Sequence, residues 1–155
     1  MFQKPSDTSQ HLLHQYWDNL DPDLQDAYAL AYNQSRREEH NTIRTSILFA
    51  AMLRLKPEPL NALFDLLPKD ALPNPTKENN TTKEYILREE RCVTDSLAHI
   101  GQRASSKRKL SSQDVFVDIA KHGTGSSVKR LRTHGVSAKE IDQIVKQFGW
   151  SVIER

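Results

Sequence analysis

The chain has 155 residues, 37% of them hydrophobic and 27% charged, with 22 Lys and Arg against 20 Asp and Glu for a formal net charge of +2. This balance excludes disorder along the whole length and suits one domain, or two small halves sharing a core. With 7 Pro and 5 Gly and few β-branched runs, it also argues against an all-β fold. No apolar run approaches the roughly 18 residues of a membrane span. The opening "MFQKPSDTSQ" has no apolar stretch of a signal peptide, so a cytoplasmic location is expected. Cys92 is the only cysteine, which rules out an internal disulfide and a cysteine metal cluster.

Every predicted element is a helix. Residues 9–19 place Leu12, Leu13, Tyr16, Trp17 and Leu20 at helical spacing, with Thr8 or Ser9 available as a cap. In "DPDLQDAYALAYNQSRREE" Asp21 can accept from first-turn amides and Pro22 suits the first helical position. Leu24, Ala27, Tyr28 and Ala31 form the apolar stripe, and "SRREE" reads as a solvated end. Thr45 is the expected cap of the next helix, whose buried face is Ile47, Leu48, Ala51, Met52 and Leu55, and Pro57 and Pro59 stop it. Leu60, Leu63, Phe64 and Leu67 mark a short helix, followed by the Pro- and Asn-rich connection "PKDALPNPTKENNTTK".

A longer helix is expected from about Lys83 to Ser105, carrying Ile86, Leu87, Val93, Leu97, Ala98 and Ile100. "SSKRKL" is a turn, and Ser111 or Ser112 caps a helix with Val115, Phe116 and Ile119 inside. After "KHGTG" comes a short helix ending at Gly135, which suits a left-handed cap. Ser137, with Glu140 three residues on, opens the last helix, whose core face is Ile141, Ile144, Val145 and Phe148.

An internal repeat is readable in this order. With Thr45 laid on Ser112, an offset of 67 residues, Ile43 falls on Leu110, Leu48 on Val115, Phe49 on Phe116 and Met52 on Ile119. Upstream, Ala27 falls on Thr94 and Ala31 on Ala98; downstream, after one extra residue, Leu60 and Leu63 meet Val128 and Leu131. Each half thus reads as a long helix, a loop with a buried aliphatic residue, a hydroxyl-capped helix, a break and a short helix. Tandem units of this kind bury their faces on each other.

"AYALAYNQSRREEHNTIRTSILFAAML" in the first half, and "LSSQDVFVDIA" with "GTGSSVKRLRTHGVSAKEIDQIV" in the second, resemble the double Clp-N repeat, the N-terminal domain of the Clp-type AAA+ unfoldases. The resemblance covers about residues 20–150. It implies an all-α fold of two pseudo-symmetric helical repeats, about 20–72 and 84–150, joined through 73–83, with an N-terminal extension over 1–19 and a tail over 151–155. It further implies a protein- or peptide-binding module with no catalytic role and no cofactor, acting in substrate or adaptor recognition in protein quality control. Its partners would be Clp-type ATPase components or their substrates. The family's helix N-termini approach its peptide-binding surface, which here carries over to Asp21, Thr45, Ser46, Ser112, Gln113 and Asp114. Two departures stand out. The sequence holds no G-x-x-x-x-G-K-[ST] phosphate loop, so the module is expected to stand without the ATPase. Some members bind phosphorylated arginine with an acidic residue after the cap; Ser46 and Gln113 stand there, uncharged, and phosphoarginine recognition is not carried over.

Other readings of single features are blander. His11 and His14 at i, i+3 have no acidic or sulfur ligand nearby in sequence, and His40, His99, His122 and His134 fall in other elements, so they read as surface histidines. No nucleophile-elbow signature surrounds any serine. Lys107, Arg108, Lys109, Lys129, Arg130 and Arg132 could contact phosphates, which leaves a nucleic-acid-binding regulator as the alternative function. Interspersed acids and the absence of interleaved aromatics argue against it. Leu12, Leu13, Tyr16 and Trp17 either add a helix to the core or anchor a partner, and the chain would be a monomer or a homodimer accordingly.

Overall fold

The computed structural model describes residues 15–37, 42–75, 88–89 and 91–155. Among these, the structure is all-helical apart from one two-residue strand pairing and one isolated bridge. The α-helices are α1 (Pro22–Arg37), α2 (Thr45–Leu55), α3 (Leu60–Leu66), α4 (Arg91–Ile100), α5 (Ser112–His122), α6 (Ser126–Thr133) and α7 (Ala138–Phe148). The strands are β1 (Thr42–Ile43) and β2 (Arg88–Glu89). No helix among the described residues is long and apolar enough to cross a membrane.

The approach to α1 is locked before the helix begins. Residues Trp17–Asn19 form a 3-10 turn, Trp17 is buried, and the Tyr16 ring lies over Gly101, where a Cβ would come within 3.0 Å of it. Asp21 then caps α1 as its sequence predicts, accepting from the Leu24 N–H at 2.8 Å, with Pro22 first in the helix. The expected stripe of Leu24, Ala27, Tyr28 and Ala31 is buried, but so are Ala29, Leu30 and Tyr32. The middle of α1 is enclosed all round, with α2 as its main neighbour and α5 also in contact. Ser35, read from sequence as part of a solvated end, is buried and donates to the Ala31 carbonyl at 2.9 Å, which satisfies its hydroxyl inside the protein.

Helix α2 begins one residue differently from the sequence reading. Arg44, in extended backbone, holds the capping position with no side-chain cap bond, and Thr45 is the first helical residue, buried. The physical reason is upstream: Ile43 is held in parallel pairing, Thr42 with Arg88 and Ile43 with Glu89, so the chain is still extended at Arg44. Ile47, Leu48, Ala51 and Met52 are buried as expected, while Leu55 is only partly covered. The helix closes on Lys56 at φ 50, ahead of Pro57. Leu60, Leu63 and Phe64 of the short third helix, and Leu67 just after it, all face the core.

The same pairing trims the helix expected over residues 83–105. Residues 88–89 are extended because they pair with β1, and α4 starts only at Arg91; residues 83–87, with Ile86 and Leu87, lie outside the described residues. Its C-terminal end tightens into a 3-10 turn over Gly101–Arg103. Val93, Leu97 and Ile100 are buried, but Ala98 is exposed.

Helix α5 is the centre of the second half. Ser111 caps it in a full capping box: its hydroxyl accepts from the Asp114 N–H at 3.2 Å, and the Asp114 carboxylate accepts from the Ser111 N–H at 2.8 Å. Residues 114–120 are buried throughout, and α5 packs against α1, α4, α6 and α7. The Arg132 guanidinium donates to the carbonyls of Ala120 and Val136, satisfying α5's last turn. Helix α6 ends as predicted on Gly135 at φ 82; the Gly135 and Val136 amides return to the carbonyls of Arg132 and Leu131, and Val136 and Leu131 are both buried. Ser137 caps α7 by accepting from the Glu140 N–H, Ile141 is buried, and Ile144, Val145 and Phe148 pack partly against the core.

One continuous apolar cluster runs from Trp17 to Ile141 and draws on both halves. Two extended contacts cross between them. The segment ahead of α1 bridges in parallel to the segment ahead of α5, at Leu20 and Leu110, with Asp21 N–H to Leu110 O and Leu110 N–H to Asn19 O both at 2.8 Å. The segment ahead of α2 pairs in parallel with the segment ahead of α4, through β1 and β2.

Candidate functional site

The polar groups that gather in the structure lie where the N-termini of α1 and α5 meet residues 151–155. Asp114 is the hub. Its side chain is 0% exposed. It accepts from the Ser111 amide and hydroxyl, both at 2.8 Å, and from the Ile153 N–H at 2.8 Å. Arg108 grips both of its oxygens, Nη1 on Oδ2 at 2.9 Å and Nη2 on Oδ1 at 2.8 Å. A buried carboxylate is tolerated only with such complete pairing. Arg108 is 43% exposed at its side chain and also donates to the carbonyls of Lys109 and Ser151.

Asp21 lies within the electrostatic reach of this hub and is half-buried. Burial lifts its carboxyl above the ordinary carboxylate range, the Leu24 N–H pulls it back, the Asp23 and Asp114 carboxylates lift it further and Arg108 opposes them. The capping position predicted from sequence therefore also bears a strained charge.

One turn along α5, Asp118 is 2% exposed at its side chain and takes the Arg155 fork, Nε on Oδ1 at 2.9 Å and Nη2 on Oδ2 at 3.1 Å. Further on, Lys121 pairs with Asp142 at 2.6 Å and Glu154 at 3.4 Å. The Asp142 hydrogen bond holds its ammonium above the ordinary lysine value against the cost of burial, and both acids add to the rise. Residues 151–155 thus run along α5 from Asp114 to Lys121.

Of the residues proposed from sequence, the structure brings Asp21 and Asp114 together. Ser112, the first helical residue of α5, is buried with its Oγ lacking a hydrogen-bond partner among the described residues. Gln113 is half-buried beside it. Thr45 is buried and Ser46 partly exposed at the start of α2; neither enters the Asp114 hydrogen-bond set. Tyr16 and Trp17 face the chain's own core, while Leu12 and Leu13, with His11, His14 and His40, lie outside the described residues. Sequence reasoning considered Arg108 only for phosphate contact and missed Asp118, Ile153 and Arg155. The S-x-x-D of "SSQD" is a capping-box pattern that the sequence reading left unused, and no local pattern marks an acid whose partner is 37 residues away.

The six basic groups considered for phosphate contact divide sharply. Arg108 is committed to Asp114, Arg130 donates to the Asp70 carbonyl, and Arg132 closes α5. Lys107, Lys109 and Lys129 are exposed. No group of three His, Cys, Asp or Glu among the described residues could hold a metal ion. Compared with family models and with curated proteins, the sequence finds no match in either.

Proposed function

We propose that the chain is a double Clp-N-like module that binds protein segments and carries out no chemistry, working in substrate or adaptor recognition in the cytoplasm. The observation that carries this reading is the reciprocity of the two crossing contacts. With Pro22 of α1 laid on Arg91 of α4, Leu20 falls on Glu89. With Thr45 of α2 laid on Ser112 of α5, Ile43 falls on Leu110. Exchanging the halves therefore turns the Leu20–Leu110 contact into the Glu89–Ile43 contact, and both pairings occur, both parallel. The repeated clasp supports reading the two halves as copies of one unit.

The same superposition explains burial better than a uniform offset of 67. Laying the first helices on each other at an offset of 69 places Leu24 on Val93, Tyr28 on Leu97 and Ala31 on Ile100, all buried pairs. A uniform offset would set buried Ala31 on exposed Ala98. Helices α2 and α5 have the same length, 11 residues, and begin on the buried hydroxyl residues Thr45 and Ser112.

The engagement of Arg108, Arg130 and Arg132 within the fold weighs against the nucleic-acid alternative, because it removes half of the basic groups that would meet phosphates. The test is fluorescence anisotropy of the full chain against a labelled, permanently unfolded protein and against a labelled DNA duplex. Client binding in the micromolar range, about −8 kcal/mol, with no change in the client's covalent structure is the expected outcome. Failure to bind the client while helical circular dichroism is intact, or tight duplex binding that collapses between low and moderate salt, overturns the reading.

A further inference from the structure

The seat of residues 151–155 on α5 has the properties of a peptide site with its own chain in it. We propose that this face of α5 binds an extended peptide bearing an apolar residue followed two positions later by arginine, and that residues 151–155 are its resident, exchangeable occupant. The proposal rests on the peptide-binding reading above and names the segment chemistry that such a site takes.

The register is built in. From Asp114 to Asp118 is one turn of helix, about 6 Å along the axis. Two residues of chain can span about 6.6 Å when extended, a matching distance. The Ile153 N–H consequently falls on Asp114 at the same time as the Arg155 guanidinium falls on Asp118. The Ser151 carbonyl accepts from Arg108, which itself holds Asp114, and the Glu154 carboxylate reaches Lys121 at the far end of α5.

The two carboxylates differ in what they need. Asp114 is organised by its own surroundings, with Ser111 and Arg108 supplying four of its hydrogen bonds, and it keeps these when residue 153 leaves. Asp118 has Arg155 as its one hydrogen-bond partner among the described residues. A vacated seat would therefore present a preformed acceptor for a backbone N–H and an unneutralised carboxylate one turn away. That pair selects a cation with a planar fork, which is arginine rather than lysine.

The occupant lies at the surface, held by polar contacts and by the partial packing of Val152 and Ile153. Ser151, Glu154 and Arg155 are exposed, Val152 and Ile153 only partly covered, and Gly149 at φ 68 lets the backbone turn out of α7 into the segment. None of its bonds belongs to the α5 capping box itself. A peptide of the same pattern can take the same bonds, competing against a segment whose advantage is its high local concentration.

The test uses a labelled, amidated peptide Ser-Val-Ile-Glu-Arg and the full chain, read by anisotropy. The Arg155→Ala chain should bind it at least about tenfold more tightly than wild type, because a weakened resident no longer competes. Ile153→Pro, which deletes the N–H that Asp114 accepts, should open the seat by a second route. Adding Asp118→Asn to Arg155→Ala should abolish the gain, and so should replacing the peptide's arginine by norleucine, which leaves the protein untouched. Equal affinity for wild type and Arg155→Ala, or a gain that survives the norleucine peptide, overturns the proposal. If the unfolded client binds while the peptide binds no variant, this proposal alone falls; if the client too is not bound by wild type, the reading beneath it falls.

Discussion

Phe49 and Phe116 meet with ring centroids 4.8 Å apart and planes tilted by 50°, and each is the fifth residue of an 11-residue helix. The fifth residues of α2 and α5 thus touch each other. Phe64 of α3 packs edge-on against the same Phe116 ring at 5.0 Å, so Phe116 is the busier of the two.

Truncation should expose that inequality. Phe116→Ala is expected to cost about 4–5 kcal/mol and Phe49→Ala about 3–4 kcal/mol, since both rings are buried and the first leaves two facing rings without a partner. The double mutant should recover about 0.5–1.5 kcal/mol of coupling. Urea denaturation of the four proteins measures all three values, and additive losses would contradict a direct ring contact.

Asp21 gives a pH signature. Its folded carboxyl binds a proton more tightly than the unfolded one, because burial and the neighbouring Asp23 and Asp114 charges disfavour the anion. The folded state is then favoured by protonation, and stability from this group is lost as pH rises through the unfolded and then the folded value. Asp21→Asn keeps a capping oxygen for Leu24 while removing the charge. The variant should match or exceed wild-type stability at pH 7, and its advantage should shrink as pH falls toward about 4. Melting both proteins across that range checks the sign; an advantage that grows on acidification would refute the assignment.

Lys56 is held at φ 50 at the end of α2, where an L side chain crowds the following carbonyl. Lys56→Gly relieves this and should raise stability by about 0.5–1 kcal/mol, after allowing for the greater freedom glycine loses on folding. Gly149→Ala, at φ 68, should move the other way by a similar amount. Thermal melts of the two variants read the opposite shifts directly.

What the sequence made legible was local. The caps at Asp21, Ser111 and Ser137, the stop before Pro57, and the left-handed turn at Gly135 each depend on residues within a few positions of one another, and each is present. The buried faces of α2, α3 and α5 follow from apolar spacing for the same reason. The misreadings come from contacts between distant segments. Arg44 replaced Thr45 at the α2 cap, and residues 88–89 left the helix, because β1 and β2 find each other across the chain. Ser35 is buried although its neighbours in sequence are charged, since enclosure is decided by what packs around α1. The site was half legible: Asp21 announces itself as a cap and Asp114 came from the resemblance, whereas Arg108, Asp118 and Arg155 are ordinary charges until tertiary structure brings them to α5.

The crossed clasps also bear on how the chain reaches this structure. Single helices form in under about a microsecond, but Leu20 must find Leu110 and Ile43 must find Glu89, contacts of very large sequence separation. Each closes a long loop whose entropy is spent before the apolar interior rewards it. The rate of folding is therefore set by this search rather than by helix growth, and the chain should collapse and unfold as one cooperative unit, more slowly than its helical content alone suggests.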